Sequence, residues 1–70
     1  MNNEKLEEKV QLAQRYNKDI SLERMYFLYE AHLNEYGGLF PHWTRQEREK
    51  RADAMVDSYL SYMTGGLYRP

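Results

Sequence analysis

Few residues of this chain are suited to acid–base or metal chemistry: His32 and His42, with Glu30 and Glu35 within about a turn of the first. His32 and Glu35 are three apart and share a helix face if that stretch is helical. A di-iron bundle needs the opposite order, Glu-x-x-His, on paired helices with further glutamates. Here the order is reversed and no second copy exists, so a structural or surface histidine is the better reading. Ser21, Ser58, Ser61, Thr44 and Thr64 lack the sequence context of an activated nucleophile. There are no cysteines, which excludes disulfides, thiolate nucleophiles and thiolate metal sites. Gly37-Gly38 and Gly65-Gly66 read as helix stops rather than phosphate-cradling loops. No catalytic residue, metal ligand or cofactor is expected, and the function expected is binding.

Three groups of side chains fit that function. Leu39-Phe40-Pro41-His42-Trp43 make an apolar, aromatic connection where exposed connections are normally polar. Trp and Phe are frequent anchors of interaction hot spots, so the segment reads as a binding knob. The better reading is a cap in which Leu39, Phe40 and Trp43 fold back over the open end of a small bundle, since a core this small needs large residues. Seven tyrosines against two phenylalanines favour surfaces half buried and half wet, because a covered phenol needs a partner. Arg45, Arg48 and Arg51 recur every three residues beside Lys50 and could contact phosphate. However, Arg45–Glu49 and Glu47–Arg51 are i,i+4 pairs, so a self-neutralised solvated face is the better reading. The expected contact residues are Phe40, His42, Trp43, Tyr62 and Tyr68, with Arg45 and Arg48 at the rim.

Seventy residues leave room for one core, and residues 1–70 are expected to form a single helical domain. A chain this short usually needs extra stabilisation. Without disulfides, regular helix packing and self-association, a homodimer in the simplest case, are the expected sources. Ten basic and eleven acidic side chains give a net charge of −1. Nucleic-acid binders usually show a marked basic excess, since phosphate neutralisation supplies much of their affinity. Nucleic acid is thus the disfavoured partner. No stretch reaches the roughly 18 to 20 apolar residues of a membrane span, and the polar start, Met1-Asn2-Asn3-Glu4-Lys5, is unlike a signal peptide. A cytoplasmic location is expected.

The elements that must position these groups read as a small all-α three-helix bundle, with helices at about 4–17, 22–36 and 45–63. Asn3 and Ser21 are expected N-caps. Thr44-Arg45-Gln46-Glu47 matches a capping box. Ile20 is placed to staple against Met25 across the second cap. Leu6, Val10, Ala13 and Tyr16 or Asn17 form a narrow apolar stripe on the first helix. Leu22, Met25, Tyr26, Tyr29, Leu33 and Tyr36 form a broad face on the second, extended by Phe27, Leu28 and Ala31. A helix apolar on more than one side is expected to be central. Ala52, Met55, Val56, Tyr59, Leu60 and Met63 should face the core from the third, whose charged start projects into solvent. Residues 67–70 are expected to trail off. No segment alternates with period two, which argues against strands.

The leading expectation is a small stand-alone protein-binding modulator, an inhibitor or adaptor docking on a larger protein partner. Its likeness to antitoxins and to inhibitors from phages and other mobile elements is compositional analogy alone. The alternative is a dimeric DNA-binding regulator using the start of the third helix, although a helix-turn-helix wants a turn of about three or four residues. A third reading is a self-assembling structural subunit. Trp43→Ala separates knob from cap. A knob leaves the melting temperature within a few degrees while weakening partner binding. A fully buried cap loses roughly 3–5 kcal/mol.

Overall fold

The computed structural model describes residues 3–70. It is an all-α three-helix bundle of α1 (Asn3–Gln14), α2 (Leu22–Leu39) and α3 (Arg45–Met63). Residues 1 and 2 and the side chain of Asn3, including its expected capping role, lie outside the described residues; the backbone of Asn3, the first described residue, is already helical. The caps at Ser21 and Thr44 form, although of the expected capping box only the Thr44 half is made. Ser21 Oγ accepts the Arg24 N–H at 3.3 Å, and Thr44 Oγ1 accepts the Glu47 N–H at 3.1 Å. Each satisfies one of the backbone donors a helix start leaves unpaired.

α1 ends three residues earlier than expected because Asn17 spends its amide elsewhere. Asn17 Nδ2 donates to Met63 O at 2.9 Å, and its Oδ1 accepts the Asp19 N–H at 3.0 Å. Such local side-chain bonds compete with helix. Gln14 Nε2, donating to Ile20 O at 2.9 Å, closes the same turn.

α2 overruns its expected end and passes straight through Gly37-Gly38. Among the described residues only Gly65 and Gly66 have positive φ, so the first glycine pair does not stop the helix. Pro41 does. A residue before proline is pushed out of the α region, and Phe40 sits at φ −129°, ψ 68°. The Phe40 N–H still donates to Tyr36 O at 2.8 Å, and Trp43 N–H donates to Phe40 O at 3.0 Å, closing a turn with Pro41 in its second position. Gly37 has a different use: a Cβ there would lie 2.8 Å from Nη1 of Arg48, so its absence lets Arg48 close on α2.

The second glycine pair behaves as expected. Gly65 (φ 63°) and Gly66 (φ 85°) are left-handed. Gly66 N–H donates to Ser61 O at 2.7 Å and Gly65 N–H to Tyr62 O at 3.2 Å, the paired bonds of a Schellman C-cap. That turn reverses the chain, and residues 67–70 do not trail off. Tyr68 returns to the core at 3% exposure. Its N–H donates to Thr64 Oγ1 at 2.9 Å, its carbonyl accepts from Ser61 Oγ at 2.9 Å, and its hydroxyl donates to Asp57 Oδ1 at 2.9 Å. Burial and that bond to Asp57 push the Tyr68 phenol well above its ordinary pKa.

The core is Leu6, Val10 and Ala13 from α1, Ile20, then Met25, Tyr29 and Leu33 from α2, Ala52, Val56 and Leu60 from α3, and Tyr68. Ile20 and Met25 are both buried here, as the staple requires. Tyr16 is exposed, leaving the end of the α1 stripe to half-buried Asn17. On α3 the buried stripe is narrower than expected. Met55 and Tyr59 are 39% and 38% exposed, because only the i,i+4,i+8 set of Ala52, Val56 and Leu60 faces the other helices. α2 packs against both α1 and α3, as expected of the central helix, but its additional apolar arc is left uncovered: Phe27 is 77% exposed and Ala31 is exposed.

The path runs up, down and up. Asn17, just after α1, meets Met63 at the end of α3, and Lys9 Nζ lies 2.9 Å from Asp57 Oδ1 and 3.9 Å from Asp53 Oδ1. Asp57 therefore binds α1 and Tyr68 at once. Asp53 fares less well: its Oδ1 is buried and makes no hydrogen bond. Burial raises the Asp53 carboxyl above its ordinary pKa, with Lys9 opposing. Burial likewise pushes Tyr29 up to about 12, with Asp53 adding to the rise.

Three predictions follow from this geometry. Gly38→Ala meets nothing within 4 Å at a helical position, and should stabilise by about 0.5–1 kcal/mol in thermal melts. Gly65→Ala should destabilise by about 1 kcal/mol or more, because its left-handed φ penalises a Cβ. For Asp53, a folded pKa above the unfolded value means the folded state prefers the proton. Its contribution to stability is present below pH 3.8 and lost as pH rises through the elevated folded value. Asp53→Asn should raise the melting temperature at neutral pH and give no gain in acid below that value.

Candidate partner-binding surface

α1 has 12 residues, against 18 and 19 for α2 and α3. At 1.5 Å per residue it is about 10 Å shorter than either. The far end of the α2–α3 hairpin therefore extends beyond the described part of α1, and aromatic rings gather there. Phe40 and Trp43 stack with centroids 4.0 Å apart and planes 12° from parallel. Tyr36 meets Trp43 edge-on at 5.8 Å and Phe40 at 6.2 Å, and His32 stacks on Tyr36 at 5.7 Å. The Arg51 guanidinium lies 4.9 Å over the Trp43 ring, a cation–π contact of about 0.5–1 kcal/mol at an exposed site. His42 packs edge-on against Trp43 at 6.4 Å while remaining exposed.

The geometry combines cap and knob. Phe40 and Trp43 fold back and are half-buried, whereas Leu39 points outward at 62% exposure. The expected contact residues are only partly brought together. Phe40, His42 and Trp43 form one cluster. Arg45 is exposed and bonded through Nε to Glu49 Oε1 at 2.9 Å, the expected i,i+4 pair. Arg48 is half-buried against α2 rather than placed on a rim. Tyr62 is 82% exposed but lies eleven residues beyond Arg51 on α3, about 16 Å along the axis. Tyr68, expected on the contact surface, is buried in the core.

What joins the two ends is a stripe that the sequence reading missed. Arg51, Met55, Tyr59 and Tyr62 stand at i, i+4, i+8 and i+11 on α3, one face of a 3.6-residue helix. All four are exposed, and the stripe runs from the Phe40–Trp43 stack to the last turn of α3. Met55 and Tyr59 were expected in the core because both α3 stripes are apolar. The available signal was size: the smaller set, Ala52 and Val56 with Leu60, permits close helix approach, which leaves the larger set at the flank.

Among the described residues, no group of three or more His, Asp or Glu side chains is arranged to hold a metal ion. Among them too, no helix is long and apolar enough to cross a membrane. Comparison with known proteins found no matching family model, no matching curated protein and no matching solved structure.

Trp43→Ala should cost about 2 kcal/mol, roughly half the loss for a fully buried Trp, with the fold retained in far-UV circular dichroism. Because Trp43 is the sole tryptophan, its fluorescence should report Phe40→Ala and Arg51→Gln strongly and Phe27→Ala hardly at all.

Proposed function

We propose that this chain is a protein-binding module that docks on a larger protein and modulates it as an inhibitor or adaptor. The stripe Trp43, Arg51, Met55, Tyr59 and Tyr62 would carry the contact. The observation behind this reading is that the core closes without Met55, Tyr59 and Tyr62, yet these three large side chains line one exposed face. Aromatic residues, Met and Arg are the types enriched at interface centres. The stripe is rigid because α3 backs it with buried Ala52, Val56 and Leu60, and preorganised surfaces lose less on binding.

The DNA-binding alternative rests on Arg45, Arg48, Lys50 and Arg51. Arg45 is paired with Glu49 and Arg51 lies over Trp43, so that set carries less available charge than its sequence implies. A second copy on the same stripe, giving a homodimer, is the competing occupant.

A photo-crosslinking residue placed at position 62 or 55 should capture one protein in host cells, with and without nuclease, whereas the same residue at position 27 should not. Tyr59→Ala/Tyr62→Ala should weaken that capture about tenfold or more while moving the melting temperature little. Loss of the partner on nuclease treatment, or equal capture from position 27, would sink the reading. Crosslinking only to a second copy, with a doubled mass in light scattering, would replace it with self-assembly.

A further inference from the structure

A second surface lies at the end of the molecule away from the ring stack, where the segment after α3 returns past α1. Leu12, Arg15, Tyr16, Leu67 and Arg69 surround a hollow of about 260 Å³ against Tyr68. It adjoins a second of about 320 Å³ that shares Leu12, Tyr68 and Arg69 and carries Lys5 and Glu8 on its far rim.

Three observations bear on what this hollow accepts. Leu12, Tyr16 and Leu67 are large apolar side chains 46%, 54% and 62% exposed, gathered on one rim. Arg15 and Arg69 stand on the same rim, and neither guanidinium forms an ion pair or side-chain hydrogen bond with a described residue, unlike Arg45 or Lys9. Finally, the rim is held in place. Tyr68 is anchored at its N–H, carbonyl and hydroxyl, which turns its neighbours Leu67 and Arg69 outward and fixes them beside α1.

Guanidinium groups favour carboxylates and phosphates, and the apolar rim favours a large aliphatic or aromatic side chain. Taken together these select a ligand with both features side by side. We propose that this hollow docks a short peptide segment of a partner protein in which Asp or Glu adjoins a large apolar residue. The apolar side chain would lie between Leu12, Tyr16 and Leu67, with the carboxylate on Arg15 and Arg69. A nucleic-acid phosphate would use the same guanidiniums but leave the apolar rim unused, and the chain's net charge of −1 opposes it. The site is independent of the α3 stripe.

The test uses the full chain, labelled with nitrogen-15, and two probes: acetyl-Glu-Leu-Glu-Leu-amide and its glutamine counterpart, acetyl-Gln-Leu-Gln-Leu-amide. The acidic peptide should give saturable shifts at Leu12, Tyr16, Leu67 and Arg69. The glutamine peptide should bind about tenfold more weakly, as loss of charge-assisted bonds requires. Arg15→Gln/Arg69→Gln, both exposed positions, should keep the native spectrum and melting temperature and lose about the same factor for the acidic peptide. Absence of saturable shifts up to several millimolar, equal affinity for the two peptides, or shifts confined to the α3 stripe would overturn the proposal. So would tighter binding of oligothymidylate with a steep salt dependence.

Discussion

From Asn3 onward α1 is about 10 Å shorter than the two helices it packs on, and the ring cluster lies at the end of the hairpin beyond that described stretch. Where α1 is present, the three helices share one aliphatic core from Leu6 to Leu60. Beyond the described part of α1, the described residues of α2 and α3 close the gap between them with rings rather than small aliphatic side chains. Phe40 lies against Trp43, with Tyr36 on both. Met55 and Tyr59 remain partly exposed for a different reason: they stand beside the buried Ala52–Val56–Leu60 stripe, level with the part of α1 that Lys9 ties to Asp57, on a flank of α3 turned away from both neighbours.

At the other end the controlling feature is Asp57. It accepts Lys9 from α1 and the Tyr68 hydroxyl from the returning segment, so one carboxylate fixes two elements on a third. Hydrogen bonds to a charged acceptor are stronger than neutral ones, and this one is only partly open to water. Asp53, one turn earlier, faces the same lysine at a longer distance and gains less from it. The contrast shows how far a single cation reaches on a small protein: one close acid is well served and the next is left desolvated.

The sequence carried the local signals faithfully and the long-range ones poorly. Ser21, Thr44 and Gly65-Gly66 announce their roles because caps depend on a few adjacent residues. Gly37-Gly38 misled because glycine permits a left-handed stop without compelling one, whereas Pro41 enforces its own. Tyr68 was legible as an aromatic residue but not as a buried one, since its place depends on a chain reversal and on a carboxylate eleven residues away. That Phe40, His42 and Trp43 lie together was legible from residue type and shared loop. Met55 and Tyr59 were not, because choosing between two apolar stripes on one helix requires knowing where the neighbours sit.

The final turns of α2 hold a further consequence. Gly37 and Gly38 lie inside the helix, where each weakens it by roughly 1 kcal/mol relative to Ala. That stretch also lies beyond the described part of α1. Opening of α2 from about Tyr36 onward disrupts the ring stack and few other contacts, leaving the aliphatic core intact. The molecule is thus divided energetically into a cooperative base and a distal tip with its own smaller opening free energy. Amide exchange distinguishes the two: protection should fall off between Leu33 and Leu39, whereas a uniform profile along α2 would mean that tip and base open together.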